Sequence, residues 1–138
     1  MDWLNIPILG VIGPFRGQLL QLKRGTMYSA TFIFDTKQFD EDFHRLDALI
    51  AAAAKETEGY LGEEAWEDTK TGRISNVYYW SSENGLKQLI SHPKHLEAKK
   101  RYSEWLSGYQ VVISQVMRTY GDKTMQHPLL SAQSTVEA

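Results

Sequence analysis

Three side chains suited to chemistry share one face of a predicted β-strand, and a histidine follows on a predicted helix. Asn76, Tyr78 and Trp80 alternate along ISNVYYW, and alternate residues of a strand point to the same side of a sheet. His95 lies on the apolar stripe of the helix HPKHLEAKKRYSEW. A histidine with an ordinary pKa of about 6.5 is largely neutral at physiological pH, so His95 is the best candidate for a base. Asn76 and Tyr78 can donate hydrogen bonds beside Trp80.

Large aromatic residues in and around these two elements are candidate walls of a binding pocket. Trp80 and Trp105 can flank a flat aromatic ligand. The candidate substrate-binding residues are Tyr78, Tyr102, Trp105 and Trp66. The alternative for Tyr102 and Trp105 is a place in the hydrophobic core, since aromatic residues at helical spacing are common there. The alternative for His95 is a buried histidine whose only role is to form a hydrogen bond.

The other histidines and the acidic residues show no spacing typical of a metal site. His44 lies among charged residues beside the buried stripe of its helix, and His92 precedes a proline as a cap or loop residue. His127 lies in a polar tail, where we expect it to be solvated. Four acidic residues cluster without a nearby histidine: Glu63, Glu64, Glu67 and Asp68. The chain has no cysteine, glycine-rich phosphate loop, GxSxG or HExxH motif, so we expect no metal and no cofactor.

The composition is typical of one soluble domain. The chain has 138 residues with a formal net charge of -2, which gives no reason to expect nucleic acid as a partner. An apolar run over residues 6–12 contains Pro7 and Gly10 and is too short to cross a membrane. Asp2 is unusual for a signal peptide, and the absence of cysteine is compatible with a reducing compartment. The sequence therefore predicts a cytoplasmic protein.

Hydrophobic periodicity predicts the order β-α-β-β-α-β, with the second helix split at Pro93. The expected strands are Tyr28–Phe34, Tyr60–Glu67, Ile74–Trp80 and Tyr109–Tyr120. The first helix is expected to begin at Thr36 or Asp40 and to end near Thr57; the second begins at Ser81 or Ser82 and ends at Gly108. This order is the ferredoxin-like arrangement, an α+β fold with a four-stranded antiparallel sheet and its helices on one face.

Two further segments and a partner follow from this fold. Residues 1–26 are expected to be an N-terminal extension, residues 27–121 the ferredoxin-like domain, and residues 122–138 a flexible tail. The strands are apolar on both sides, whereas the helices cover only one face of the sheet. The simplest cover for the other face is a second copy of the same sheet, so we expect a homodimer.

The assembled pattern resembles the antibiotic biosynthesis monooxygenase (ABM) domain family, which belongs to the dimeric α+β barrel superfamily. Four segments carry the resemblance: GYLGEEAW, NVYYWSSENGLKQL, HPKHLEAKKRYSEW and YQVVISQVMRTYG. The similarity covers about residues 28–121 and includes a tryptophan at a strand end followed by a helix that carries a histidine. It is specific for the fold and not for one reaction, because the superfamily also contains haem degraders, decarboxylases and cyclases.

The resemblance implies a cofactor-independent monooxygenase that acts on a small aromatic or polyketide-like compound, with His95, Trp80 and Asn76 as catalytic candidates. In such enzymes the deprotonated substrate itself donates an electron to oxygen. The alternative is a small-ligand-binding or interaction protein of the same fold without catalysis. Haem degradation is disfavoured, because Tyr28–Phe34 contains no asparagine and Ser82–Ile90 contains no tryptophan.

Overall fold

A computed structural model describes residues 26–130, so the predicted N-terminal extension lies almost entirely outside the described residues. Residues 131–138 also lie outside them. The strands are β1 (Met27–Thr36), β2 (Tyr60–Glu67), β3 (Ile74–Trp80) and β4 (Leu106–Val116). The helices are α1 (Glu41–Lys55), α2 (Glu83–Ile90) and α3 (Pro93–Trp105). No helix among the described residues is long and apolar enough to span a lipid bilayer.

The four strands form one antiparallel sheet in the order β2-β3-β1-β4, which confirms the predicted ferredoxin-like arrangement. Tyr28 is opposite Trp80, and Phe32 is opposite Asn76, so the apolar and functional residues of β1 and β3 share one face. The helices pack on that face. We call the other side the open face; it carries Ile33, Val77 and Val112.

The helices begin where side chains satisfy their first backbone N–H groups. The Asp40 carboxylate accepts from the Phe43 N–H at 2.8 Å, and Ser82 accepts from Asn84 at 3.2 Å. The predicted split at Pro93 is confirmed: His92 is the N-cap of α3, its Nδ1 accepts from the Lys94 N–H at 3.1 Å, and the proline occupies the first helical position.

The end of the split helix differs from the prediction. Helix α3 ends at Trp105 rather than at Gly108, and β4 begins at the next residue. The Trp105 carbonyl accepts from the Lys37 N–H at 2.7 Å, which joins the helix end to the chain leaving β1. Gly108 is opposite Asp35 within the sheet. Pairing with β1 therefore outweighs the tendency of glycine to terminate a helix, and β4 ends at Val116 rather than Tyr120.

The segment of residues 121–130 folds back onto the open face at β2 and β3. A bulge beside Gly62 shifts the register of β2, as its sequence suggested, and a Cβ on this glycine would lie 2.9 Å from Pro128. The expectation of a solvated His127 is wrong, because its Nε2 lies 2.7 Å from the Glu64 carboxylate. Its Nδ1 accepts from the Leu129 N–H at 3.0 Å, so the neutral ring carries its proton on Nε2.

Helix α2 lies so close to the end of β3 that one of its residues has no space for a side chain. A Cβ on Gly85 would lie 2.6 Å from Cδ1 of Trp80 and would overlap the carbonyl oxygen of Glu58. Gly85 is buried within the helix. This glycine therefore sets the distance between α2 and the buried tryptophan ring.

We expect Gly85→Ala to lower the free energy of unfolding by at least about 1 kcal/mol, measured by urea denaturation. Alanine gains about 1 kcal/mol of helix propensity over glycine, but the clash with the Glu58 backbone outweighs that gain. Gly108→Ala is the matched control, because nothing lies within 4 Å of its added Cβ. A Gly85→Ala variant that is as stable as wild type would contradict the close packing of α2.

Candidate functional site

A cavity of about 130 Å³ lies between the helices and the covered face of the sheet. Alternate residues of β1, β3 and β4 form its floor, and the apolar stripes of all three helices form its sides. Apolar side chains dominate the lining, which includes Phe32, Phe43, Leu46, Ile50, Leu86, Leu89, Ile90, Val111 and Ile113. A space with such walls excludes water and strengthens electrostatic interactions with the few polar groups inside it.

Six of the seven site residues proposed from the sequence line this cavity: Asn76, Tyr78, Trp80, His95, Tyr102 and Trp105. Trp66 does not. It lies on the open face, where it is 57% exposed and its indole N–H donates to the Glu64 carboxylate at 2.9 Å. The strand register accounts for this placement, because Trp66 is opposite Ser75 rather than Asn76. Trp66 therefore belongs to a groove formed with the residues around His127.

Trp80 contributes an aromatic wall and no free donor. It is 0% exposed, and its indole N–H donates to the Thr57 hydroxyl at 2.8 Å. The Tyr78 ring stacks beside it, with ring centroids 6.0 Å apart and an interplanar angle of 20°. Because the only polar atom of Trp80 is already engaged, this residue contacts a ligand through its ring alone.

Trp105 and Tyr102 form the corresponding wall at the end of α3. The Trp105 indole N–H donates to Asp40 at 3.0 Å, and its ring lies edge-on to Phe43 with centroids 5.6 Å apart. The Arg101 guanidinium lies over the indole at 4.7 Å from the centroid. Tyr102 packs edge-on against Tyr109. Trp105 therefore fits both interpretations made from the sequence, because its buried ring belongs to the hydrophobic core and also lines the cavity.

His95 lines the cavity from the first turn of α3. Burial lowers its pKa to about 4, and the positive charge of nearby His92 acts in the same direction. A hydrogen bond to the Ile90 backbone acts in the opposite direction and raises the pKa of His95, as expected when a ring N–H donates to a carbonyl. The bond joins α3 to the last turn of α2. His95 is therefore neutral at physiological pH and has a structural role in the split helix.

An acidic end of the cavity lies between α1 and β2, and sequence reasoning missed it. Asp47 lines the cavity, and its pKa is raised by partial burial and by the negative charge of Glu63. Glu63 accepts from the Tyr60 hydroxyl at 3.1 Å. Burial and the charges of Glu63 and Asp47 raise the pKa of Tyr78. In the sequence Asp47 follows Phe43 by one helical turn, and this spacing could have identified it as a residue on the cavity side of the helix.

The residues that the structure describes show no arrangement suited to a metal ion. Within residues 26–130, no group of three or more histidine, aspartate or glutamate side chains lies close enough to hold one. The acidic cluster predicted on β2 is divided between the two faces of the sheet, because Glu63 is opposite Tyr78 and Glu64 is opposite Val77. Besides the two indole rings, the polar side chains that line the cavity are those of Thr31, Asp47, Asn76, Tyr78, His95 and Tyr102.

The fold is similar to solved structures of ABM proteins. SnoaB, a cofactor-independent oxygenase from Streptomyces nogalater, shares 11% identity at a TM-score of 0.57, over 67% of this chain and 95% of that one. A putative antibiotic biosynthesis monooxygenase from Nitrosomonas europaea shares 12% identity at a TM-score of 0.56. The match covers 69% of this chain and 94% of that one. A second putative antibiotic biosynthesis monooxygenase, from Chloroflexus aurantiacus, shares 18% identity at a TM-score of 0.50. The match covers 69% of this chain and 97% of that one.

No protein-family model matches the chain, and no curated protein sequence matches it. At identities of 11 to 18%, the structural matches establish a shared fold and no shared reaction. The chain therefore has the fold of the ABM-like domains, as its sequence indicated.

The depressed pKa of His95 predicts a loss of stability in acid. Between pH 6.5 and about 4 the unfolded chain binds a proton at His95 and the folded chain does not, so stability falls as the pH falls through this window. We expect wild type to lose as much as about 3 kcal/mol more than His95→Gln between pH 7 and pH 4. Urea denaturation at several pH values measures both losses.

Glutamine retains a donor for the Ile90 carbonyl and does not titrate, so the comparison isolates the imidazole. Carboxylates with lowered pKa values, such as Asp40 and Glu104, destabilise both proteins equally in acid. Parallel stability curves for the two proteins would show that His95 is not held neutral by burial.

Proposed function

We propose that the protein is a cofactor-independent monooxygenase that acts on a small aromatic compound. The observation that carries the proposal is the apolar cavity that Trp80, Asn76 and the neutral His95 line together. The fold shared with a cofactor-independent oxygenase is compatible with this activity. The substrate class follows from the aromatic walls of the cavity and from its small volume.

The proposed reaction begins with removal of a proton by His95 from the ring CH₂ of a phenol in its keto form. The resulting anion transfers one electron to oxygen, the two radicals combine, and the peroxide anion takes the proton back from His95. Loss of water from this hydroperoxide then converts the same ring carbon to C=O. One oxygen atom enters the product, and the other leaves as water. Asn76 lines the same cavity, and in this proposal its amide donates a hydrogen bond to the developing charge.

The low pKa of His95 places a condition on this step. An isolated imidazolium is unfavourable in the cavity, as the pKa of about 4 shows. An imidazolium beside the substrate anion is a neutral pair, and the attraction between the two charges is strong where water is excluded. We infer that His95 accepts a proton only from a ligand that stays bound beside it as an anion.

A second candidate function is ligand binding without catalysis, and the size of the cavity favours it. A volume of about 130 Å³ is well below the roughly 300 to 1,000 Å³ of pockets that enclose drug-sized molecules. A polycyclic polyketide or a haem therefore needs more space than this cavity offers. A protein that binds a small ring in the cavity would use the same walls and no oxygen chemistry.

Oxygen uptake in the presence of small single-ring phenols distinguishes the two functions. We expect wild type to consume oxygen with at least one of them and His95→Ala to be slower by about 100-fold or more, as is typical for loss of a general base. His44→Ala is the control, because His44 is an exposed histidine outside the cavity. Circular dichroism verifies the fold of each variant.

Equal oxygen uptake by wild type and His95→Ala would exclude His95 as the base. No uptake by wild type with any of the compounds would favour the binding protein.

We also propose that the protein is a cytoplasmic homodimer in which the open faces of two sheets pack together. Apolar residues on this face support the proposal: Ile33 and Val77 lie on the two central strands, and Val112 is 43% exposed on β4. The segment of residues 121–130 contacts the β2 and β3 side of the face. A partner sheet would then pack mainly over β1 and β4.

Sedimentation velocity at micromolar concentration tests the dimer. We expect wild type to sediment as a dimer and Val112→Lys as a monomer, because a buried unpaired charge opposes association. Leu49→Lys is the matched control, since Leu49 is 39% exposed on helix α1 away from the open face. A monomeric wild type, or a dimer that tolerates lysine at residue 112, would contradict this interface.

A further inference from the structure

We propose that Thr57 and Asp40 keep the cavity open for a ligand. Neither residue lines the cavity, but each holds one of its two tryptophan walls by accepting a hydrogen bond from the indole N–H. Both are positioning residues, because they act on a ligand only through Trp80 and Trp105. The ligand class that the space between these walls admits is a single neutral aromatic ring.

An apolar cavity of this size has a tendency to close. Its volume is about 130 Å³, and most of the side chains around it are apolar. A cavity destabilises a folded protein in proportion to its volume, and neighbouring side chains relax into the space where their contacts allow it. Trp80 and Trp105 are the largest side chains in the lining, so a turn of either ring toward the centre would close much of the space.

Thr57 holds the Trp80 ring from beyond the end of α1. Its hydroxyl donates to the Ala54 carbonyl and accepts from the Trp80 indole N–H at 2.8 Å. Because the hydroxyl proton is committed to the helix, the oxygen presents a lone pair to the indole. Trp80 is fully buried, so an inward turn of its ring would break this bond and leave a buried donor without its acceptor.

Asp40 holds Trp105 in the same way at the beginning of α1. One carboxylate oxygen, Oδ1, accepts from the Phe43 N–H at 2.8 Å and from the Trp105 indole N–H at 3.0 Å. The same atom therefore caps the helix and anchors the wall. The Trp105 carbonyl also accepts from the Lys37 N–H at 2.7 Å, so both the backbone and the side chain of this tryptophan are fixed.

Helix α1 keeps the two anchors apart. Asp40 is its N-cap, and Thr57 follows its C-cap. The 15 residues of this helix span about 22 Å, and three of its apolar side chains line the cavity between the anchors: Phe43, Leu46 and Ile50. The separation of the two walls is therefore set by the helix, and a ligand enters a space that is already formed.

Benzene tests this inference without oxygen chemistry, because it has no acidic proton and forms no hydrogen bond to the walls. The inference rests on the proposed function only for the location of the ligand site. A cavity of roughly 150 Å³ with aliphatic and aromatic walls is known to hold benzene, so the probe has a suitable size. Calorimetric or NMR titration of the full chain gives its dissociation constant, and urea denaturation gives the stability of each variant separately.

We expect wild type to bind benzene and Thr57→Val to bind it at least about tenfold more weakly, because valine has the shape of threonine but no acceptor for the indole. Thr57→Ser keeps the hydroxyl and should bind benzene as wild type does. Asp40→Ser keeps a helix cap but is too short to hold the indole, so it should also weaken benzene by about tenfold. Asp40→Asn keeps an acceptor oxygen and should retain wild-type affinity.

These pairs of variants separate an open cavity from general stability. A variant that is merely less stable unfolds at a lower urea concentration, yet its folded form binds benzene with wild-type affinity. The two anchors are tested independently, so a variant of one that does not fold leaves the other to decide. Wild-type affinity in a folded Thr57→Val or Asp40→Ser variant, or failure of wild type to bind benzene, would overturn the inference. Affinity that depends on both anchors in a protein that consumes no oxygen supports it and contradicts only the monooxygenase function.

Discussion

The structure depends on the burial of Trp80 at the end of β3. This residue is opposite Tyr28 of β1 and Tyr60 of β2, so it joins the two strands that flank β3. Its indole N–H donates to Thr57, just beyond the end of α1, and Gly85 of α2 lies directly against its ring. A fully buried indole contributes several kilocalories per mole through its apolar area alone, about 3 to 5 kcal/mol when compared with alanine.

That burial also defines the cavity. The ring of Trp80 closes one side of the space and Trp105 closes another, and both indole N–H groups point outward to partners beyond the wall. Each of these hydrogen bonds ties a cavity wall to an end of α1: Thr57 follows the helix, and Asp40 is its N-cap. Few polar atoms are left to face the interior. The polar side chains that line it include those of His95, Asn76, Asp47 and Tyr78.

The two ends of the cavity respond in opposite ways to an added negative charge. His95 is held neutral by burial, which makes proton uptake unfavourable unless a negative charge arrives beside it. The Asp47 end already carries negative charge and resists more. The two ends of the cavity therefore differ in their electrostatic character, which a purely apolar space of the same volume would lack.

The open face of the sheet is covered in part by polar contacts rather than by the apolar packing of the helices. Ile33, Val77 and Val112 lie on this face among polar residues such as Thr31 and Ser114, and the segment of residues 121–130 contacts the β2 and β3 side. That contact relies on Glu64, whose carboxylate accepts from Tyr79 at 2.7 Å and from His127 at the same distance. The hydrogen bonds from Tyr79, Trp66 and His127 outweigh the cost of burial and lower the pKa of Glu64.

Local patterns in the sequence were sufficient to predict the elements and most of the cavity. Alternation placed Asn76, Tyr78 and Trp80 on one face, and helical spacing brought His95 into line with Trp105, because both periodicities are properties of the backbone itself. Only the tertiary structure decided the surroundings of two other residues. The register of β2 turned Trp66 to the open face, and the return of the chain over the sheet gave His127 its partner Glu64. These outcomes depend on contacts between residues far apart in the chain, which no local periodicity encodes.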